Sequence, residues 1–414
     1  MNKYKINLYS AIAIVVGSVI GSSIFIKPAI MAQQLPHVGL LILVWIAAGC
    51  ISLIGAMINA EIGSMMPETG GQFVYFQKIY GDRLAFIYGW SCLTVINTAS
   101  VAAIAFVFAQ YSSYFIDLPT FGLGENKFSI IIPLIGQFYI FDQIGVKALA
   151  IATVMLLTYA NHNSLKSGGK IQNYFTWLKV GLLVFISLAI FFSGKGNFSN
   201  FTQSQFPEIN LILIMGIVAS LSGAFAAFDG WNNVGFVAGE MDNPQKNLPK
   251  ALGFGLLICF VLYLCTNLSF YYILPLDHAS KSQLIATDAI SPVVGNIGTG
   301  LIAFMVMVST FGAINGNILA CTRVTFSMGN SGNFFSWTGL HHRKNGTPSN
   351  ALWLHAAITC LYILSGSFDM LADLFVFVTW LFYAMAAFGI FILRKKMSSV
   401  ERPFKIFGFP YLPI

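Results

Sequence analysis

Charge is scarce in this chain: Asp, Glu, Lys and Arg make up 9% of its 414 residues, while 57% are hydrophobic. So few charges cannot solvate the surface of a fold carrying that much apolar side chain, which excludes a water-soluble protein. Cysteine is scarce as well. Its six copies (Cys50, Cys92, Cys259, Cys265, Cys321 and Cys360) all fall in apolar runs, and no C-x-x-C pair occurs, which argues against a disulfide framework or a zinc site. The chain also lacks H-E-x-x-H, G-x-S-x-G and G-x-x-x-x-G-K-[ST], and its six histidines fall mainly in loops or at the ends of apolar runs. A membrane enzyme therefore finds no recognisable chemistry here, and no cofactor or metal is expected.

Hydrophobic length is what the chain has in quantity. Ten apolar runs, each near the 20 residues or so that cross a bilayer, occupy approximately 8–34, 38–65, 85–115, 147–162, 171–194, 210–239, 250–274, 298–328, 350–366 and 370–394. This predicts an all-α polytopic membrane protein with one transport-sized domain over residues 1–414 and a tail at 395–414. Lys3 and Lys5 precede the first run, but that run is too long for a cleaved leader and no A-x-A site follows, so it reads as a retained helix. The net charge of +7 is read as topology, not as affinity for nucleic acid. With both termini cytoplasmic, sixteen of the twenty-two Lys and Arg residues fall on the inner side, five fall outside, and Lys179 is left within a span. The positive-inside rule favours that orientation.

Residues 11–30, AIAIVVGSVIGSSIFIKPAI, are apolar enough to enter a bilayer yet carry Gly17, Ser18, Gly21, Ser22 and Ser23 in their middle. Glycine weakens a helix by about 1 kcal/mol relative to alanine, and serine offers the backbone a competing partner. Unwound backbone survives in a membrane only when buried in protein or lining a wet cavity. Small residues spaced as in Gly17-x-x-x-Gly21 also suit close helix packing, so this stretch alone leaves both readings open. The sixth run decides between them. It is interrupted by Phe228-Asp229-Gly230-Trp231-Asn232-Asn233, a costly sequence for a lipid-facing helix. Each break falls in the first span of a block of five, and an odd count sends the second block into the membrane from the opposite side. Interrupted helices at matching places in two inverted halves point to a transporter's central site. The predicted repeats run over about 8–194 and 210–394. Free N–H groups at a half-helix start suit a carboxylate, and unwound carbonyls suit an ammonium, so the pair together suits an α-amino acid.

These residues resemble a known pattern. Gly21-Ser22-Ser23-Ile24-Phe25, Asn59-Ala60-Glu61-Ile62-Gly63, Pro67-Glu68-Thr69-Gly70-Gly71, Gly230-Trp231-Asn232 with Gly239-Glu240, Asn243-Pro244 and Leu248-Pro249-Lys250-Ala251, Phe311-Gly312-Ala313-Ile314-Asn315-Gly316 with Arg323, and Glu401-Arg402-Pro403-Phe404 follow one another in the right order. The chain resembles the amino acid–polyamine–organocation superfamily and, within it, the L-amino-acid transporter family. The resemblance implies a five-plus-five inverted-repeat transporter core with discontinuous helices 1 and 6. Two further helices of the family fold find no counterpart before residue 414. By the same resemblance, the backbone N–H groups of Ser22 and Ser23 hold the substrate carboxylate, with Gly21 permitting the unwound turn. The carbonyls of Val19, Ala226, Ala227 and Asp229 receive the amine, and Phe228 and Ala226 lie near the side-chain pocket. Ser23 stands where the family usually has glycine, and Ala226 where several relatives carry a gating aromatic.

Lys179 is the sharpest single residue, since an ammonium deep in a span is expensive and must find oxygen partners. Snorkelling to the interface is the competing explanation. The resemblance makes Lys179 a built-in substitute for a sodium ion touching the first break, which favours exchange or proton coupling. Asp229 suits helix capping or proton relay; Asn97 and Ser91 suit the pocket or interhelical packing equally. Glu61, Glu240 and Arg323 read as ordinary interfacial charges in preference to an inner gate. The 116–146 loop has no cysteine, so the disulfide-linked heavy chain of eukaryotic light chains is not expected. The expected function is secondary transport of neutral L-amino acids in a plasma or bacterial inner membrane. Exchange comes first, with proton symport or a non-transporting amino acid sensor as alternatives.

Overall fold

The computed structural model describes residues 5–413 apart from 121–129, 133–135, 139–142, 164, 203–205, 283, 296 and 366–367. Lys3 and Lys127, the side chain of Lys166 and much of the 116–146 loop thus lie outside the described residues.

The first apolar run forms two helices, α1 (Leu8–Val19) and α2 (Ser23–Gln34), separated at Ile20, Gly21 and Ser22. After α3 (Val38–Met65) comes α4 (Gln72–Tyr80), then a third span made of α5 (Asp82–Ser91), a π-helical turn at Cys92–Ile96 and α6 (Asn97–Ser112). A short antiparallel hairpin, β1 (Ile130–Ile132) and β2 (Gly136–Phe138), precedes α7 (Ile144–Asn163) and α8 (Leu165–Phe192). The sixth span is again split, into α9 (Leu211–Phe228) and the single turn α10 (Asn233–Phe236). It is followed by α11 (Pro244–Ile273), the short α12 (Leu276–Lys281) and α13 (Ile285–Val294), α14 (Ile297–Asn330), α15 (Ser349–Ser365) and α16 (Phe368–Lys396). Among the described residues nine helical stretches are long and apolar enough to cross a membrane, and α15, at 17 residues, supplies the shorter tenth run.

The breaks follow from backbone chemistry. Gly230 sits at φ +97°, a conformation that L side chains rarely adopt, so only glycine continues the chain there without strain. A Cβ at that position would also lie 3.0 Å from the Ser18 carbonyl oxygen, so the two breaks press directly on each other. Gly21 differs from Gly230: its φ is not positive, and a Cβ there would meet nothing nearer than the Val19 oxygen at 4.0 Å. Its lack of a side chain leaves space open at the break.

α1 is held by α8, α11 and α14, whereas α2 packs on α9. Amide side chains tie the α1 half down. Asn161 Nδ2 donates to Asn315 Oδ1 (2.9 Å), Asn315 Nδ2 to Gln172 Oε1 (3.2 Å), and Gln172 Nε2 and Thr176 Oγ1 to the Ala13 carbonyl (3.3 and 3.0 Å). In apolar surroundings each such bond offsets part of the cost of burying a polar group. α4, left undecided by sequence between the interface and a re-entrant path, is buried: Phe73, Val74, Tyr75 and Phe76 are each no more than 3% exposed. Large side chains such as Leu43, Phe185, Leu188 and Phe388 face outward, as lipid contact requires.

Candidate functional site

The first four N–H groups of a helix have no intrahelical partner. α2 begins at Ser23 and its preceding residue Ser22 makes no side-chain cap; the Phe25 N–H bonds the Ser22 carbonyl (3.0 Å), and the N–H groups of Ser22 and Ser23 are left facing the break. The last carbonyls of α1 are treated differently. The Lys179 ammonium, 1% exposed on α8, donates to the carbonyls of Gly17 (2.6 Å), Ile20 (2.6 Å) and Ser309 (3.4 Å). Ser309 Oγ on α14 adds bonds to Ile20 O (3.2 Å) and Gly21 O (3.3 Å). A buried ammonium costs several kcal/mol of desolvation, and carbonyls converging at hydrogen-bond distance are what offset it. Lys179 does not snorkel; it is spent on the break.

Tyr263, fully buried on α11, links the two breaks. Its hydroxyl donates toward Val19 O (2.9 Å) and Ala227 O (3.1 Å). Its ring is edge-on to Trp45 (5.7 Å) and lies 5.1 Å from Phe228.

A cavity of about 1060 Å³ extends from the breaks along α2, α6, α9 and the start of α16. It lies toward the face opposite the N-terminus, because α2 ends and α9 begins there. Val19, Gly21, Ser22, Ser23, Ala226 and Asp229 line it. Ala227 and Phe228 do not: Phe228 is 0% exposed and packed behind α9 against Trp45 and Tyr263. The Val19 and Ala227 carbonyls already accept from Tyr263, leaving each one lone pair.

Several lining residues escaped the sequence reading: Lys27, Ser100, Asn317, and the aromatic pair Phe225 and Trp380, whose ring centroids are 3.9 Å apart across the α9–α16 wall. Tyr263 escaped too. Its signal was a hydroxyl inside an otherwise apolar run, which must find a partner when buried.

Asp229 forms part of the floor, its Oδ1 accepting from the Tyr383 hydroxyl on α16 (2.8 Å). Beneath it is a chamber of about 20 Å³ lined by polar groups including Gln72, Tyr88, Asn97, Asn232 and Asn317. That volume holds about one water molecule. Asn97 lies here, just after the π-turn of the third span, whereas Ser91 Oγ turns back to its own helix at Ile87 O (2.8 Å).

Ion pairs gather on the side carrying the N-terminus. Arg394 grips Glu61 with two bonds (2.9 and 2.7 Å), Arg402 Nε lies 3.5 Å from the same carboxylate, and the Ile406 N–H donates to it (2.8 Å). Arg323 holds Glu240 at 3.0 and 3.2 Å. Glu61 and Arg323 are each 1% exposed, so they are buried pairs and not the ordinary interfacial charges expected. Taking a carboxylate out of water costs several kcal/mol, which the paired guanidinium groups and the Ile406 N–H offset at Glu61.

The sequence model of the amino acid permease family matches residues 6–414. The chain is similar to the b(0,+)-type amino acid transporter 1 of Oryctolagus cuniculus, 29% identical over 404 residues covering 97% of this chain and 78% of the relative. The Homo sapiens protein of that name is 28% identical over 406 residues, with the same coverage of 97% and 78%. The large neutral amino acids transporter small subunit 2 of Oryctolagus cuniculus is 30% identical over 418 residues, covering 98% of this chain and 72% of the relative.

Proposed function

Because the chain belongs to the amino acid permease family, we propose that it is a secondary transporter of neutral L-amino acids that works by alternating access as an exchanger. The observation that carries this reading is the pairing of two broken spans across one cavity. Free N–H groups of Ser22 and Ser23 face it from α2, and the carbonyl end of α9, with Ala226, faces it from the other side. Those two ends suit the carboxylate and ammonium of one amino acid. The ammonium of Lys179 supplies a fixed positive charge at the first break, so no sodium ion is needed there.

The two breaks, each in the first of five spans, support an inverted repeat over about 8–194 and 210–394. On this reading both termini are cytoplasmic and the cavity faces outward, while the Glu61 and Arg323 ion pairs form the closed inner gate. The membrane is a plasma membrane or a bacterial inner membrane. With no cysteine in residues 116–146, a disulfide-linked partner at that loop is not expected.

Uptake of labelled neutral amino acids into proteoliposomes, with and without unlabelled amino acid inside, tests the proposal. Uptake that requires preloading is the expected result. Accumulation in empty vesicles under an inward proton gradient would replace exchange with symport. Absence of any flux or binding by demonstrably folded protein would overturn transport altogether.

A further inference from the structure

Among the described residues lining the cavity two carry a full charge, Asp229 at the floor and Lys27 on α2. Lys27 is four residues beyond Ser23. It therefore shares a helix face with the Ser22–Ser23 break and stands about 6 Å further along the axis, toward the mouth. Its stem crosses to the facing wall: a Cβ on Gly223 of α9 would be 3.6 Å from Lys27 Cδ. Lys27 thus runs along the gap between α2 and α9, within van der Waals reach of position 223. Its ammonium makes no hydrogen bond or ion pair with any described residue. Unlike Lys179, this cation is not consumed by the fold.

We propose that Lys27 is a charge-selecting residue at the cavity mouth, favouring amino acids with neutral or anionic side chains over those with a second cationic group. The inference rests on the reading that amino acids reach the breaks through this cavity. An entering molecule passes between Lys27 and the wall formed by α9 and α16, and there the unpaired ammonium attracts its carboxylate and repels any side-chain cation. Coulomb's law at about 8 Å and an effective dielectric between those of interior and water makes this a factor of about five for each unit charge. Because the mouth is wet, salt weakens the effect.

Purified wild type, Lys27→Gln and Lys27→Arg are compared by ligand-induced thermal shift and by competition against labelled neutral amino acid uptake, using L-leucine, L-glutamate and L-arginine. The Gln variant is expected to improve L-arginine relative to L-leucine by about fivefold and to weaken L-glutamate by a similar factor. The Arg variant is expected to keep the wild-type order. Raising salt should shrink discrimination in wild type and leave Lys27→Gln unmoved. An unchanged ratio of the three ligands in Lys27→Gln overturns the inference, even with transport intact. If vesicles show no flux, the binding order decides it separately: a Lys27-dependent order sustains the charge filter while transport fails. No order among the three ligands, or no binding, overturns the filter.

Discussion

Replacing Tyr263 with phenylalanine removes one oxygen atom and leaves the ring that packs on Trp45 and Phe228. The atom removed is the donor that reaches Val19 O at 2.9 Å and Ala227 O at 3.1 Å. A single O–H satisfies one acceptor fully or two in part, so the loss is that of about one hydrogen bond. Between membrane helices such bonds average about 0.6 kcal/mol. A buried carbonyl left without a donor adds about 1–3 kcal/mol. Because the one hydroxyl serves each of these carbonyls only in part, a net loss of about 1–2 kcal/mol is expected. If the pin acts chiefly in the substrate-bound arrangement, this corresponds to a KM raised about five- to thirtyfold. The assay is the concentration dependence of exchange in proteoliposomes, alongside thermal unfolding of the detergent-solubilised protein. The expected outcome is a KM raised at least fivefold with an unfolding midpoint lowered by a few degrees. Wild-type KM together with a wild-type midpoint would refute the claim that Tyr263 couples the two breaks and would reduce it to a packing residue.

Lys179→Met should abolish most uptake while costing little stability. The orphaned Gly17 carbonyl, at about 1–3 kcal/mol, is offset by no longer burying a charge; fluorescence-detected gel filtration and uptake separate the two effects. Lys179→Arg should fail to rescue, because a planar guanidinium cannot replace a compact ammonium among three carbonyls. Gly230→Ala should lower both uptake and the unfolding midpoint, with about 1–2 kcal/mol from the positive φ and a further term from the approach to Ser18. Gly21→Ala, by contrast, should fold normally and show its effect in KM alone, since a methyl there meets only the Val19 oxygen, at 4.0 Å, and otherwise projects into open space. Glu61→Gln should destabilise the closed inner end by about 1–3 kcal/mol, less than for a fully buried pair because Arg394 is 24% exposed. Faster proteolysis near residues 400–410 would report it.

Membrane class and span positions were legible from composition and run length alone, because lipid demands about 20 apolar residues per crossing and tolerates no unpaired backbone. The same rule located the two breaks: glycines, serines and Asp229 within apolar runs cost too much unless they line a site. It also marked Lys179, since one ammonium inside a span needs partners. Which oxygens would serve was not local information. Gly17, Ile20 and Ser309 meet Lys179 only because α1, α8 and α14 cross at that point, and Tyr263 reaches Val19 and Ala227 only because α11 passes behind both breaks.

Rotation about a helix axis was equally invisible, because these spans are apolar nearly all round and carry little periodicity to say which face turns inward. Phe228 consequently turned into the core instead of the cavity, while Lys27, Phe225 and Trp380 turned toward it. Glu61, Glu240 and Arg323 stood near helix ends in sequence, where charge ordinarily meets water. Burial beneath the tail residues and α16 made Glu61 a paired interior group instead. By itself, then, the sequence determined that the chain is a multi-pass membrane protein and where its backbone must unwind, because both are costs counted residue by residue against lipid. Which side chains answer those costs, and which face a ligand, was decided only by the tertiary structure, because hydrogen bonds between spans join residues that no local pattern connects.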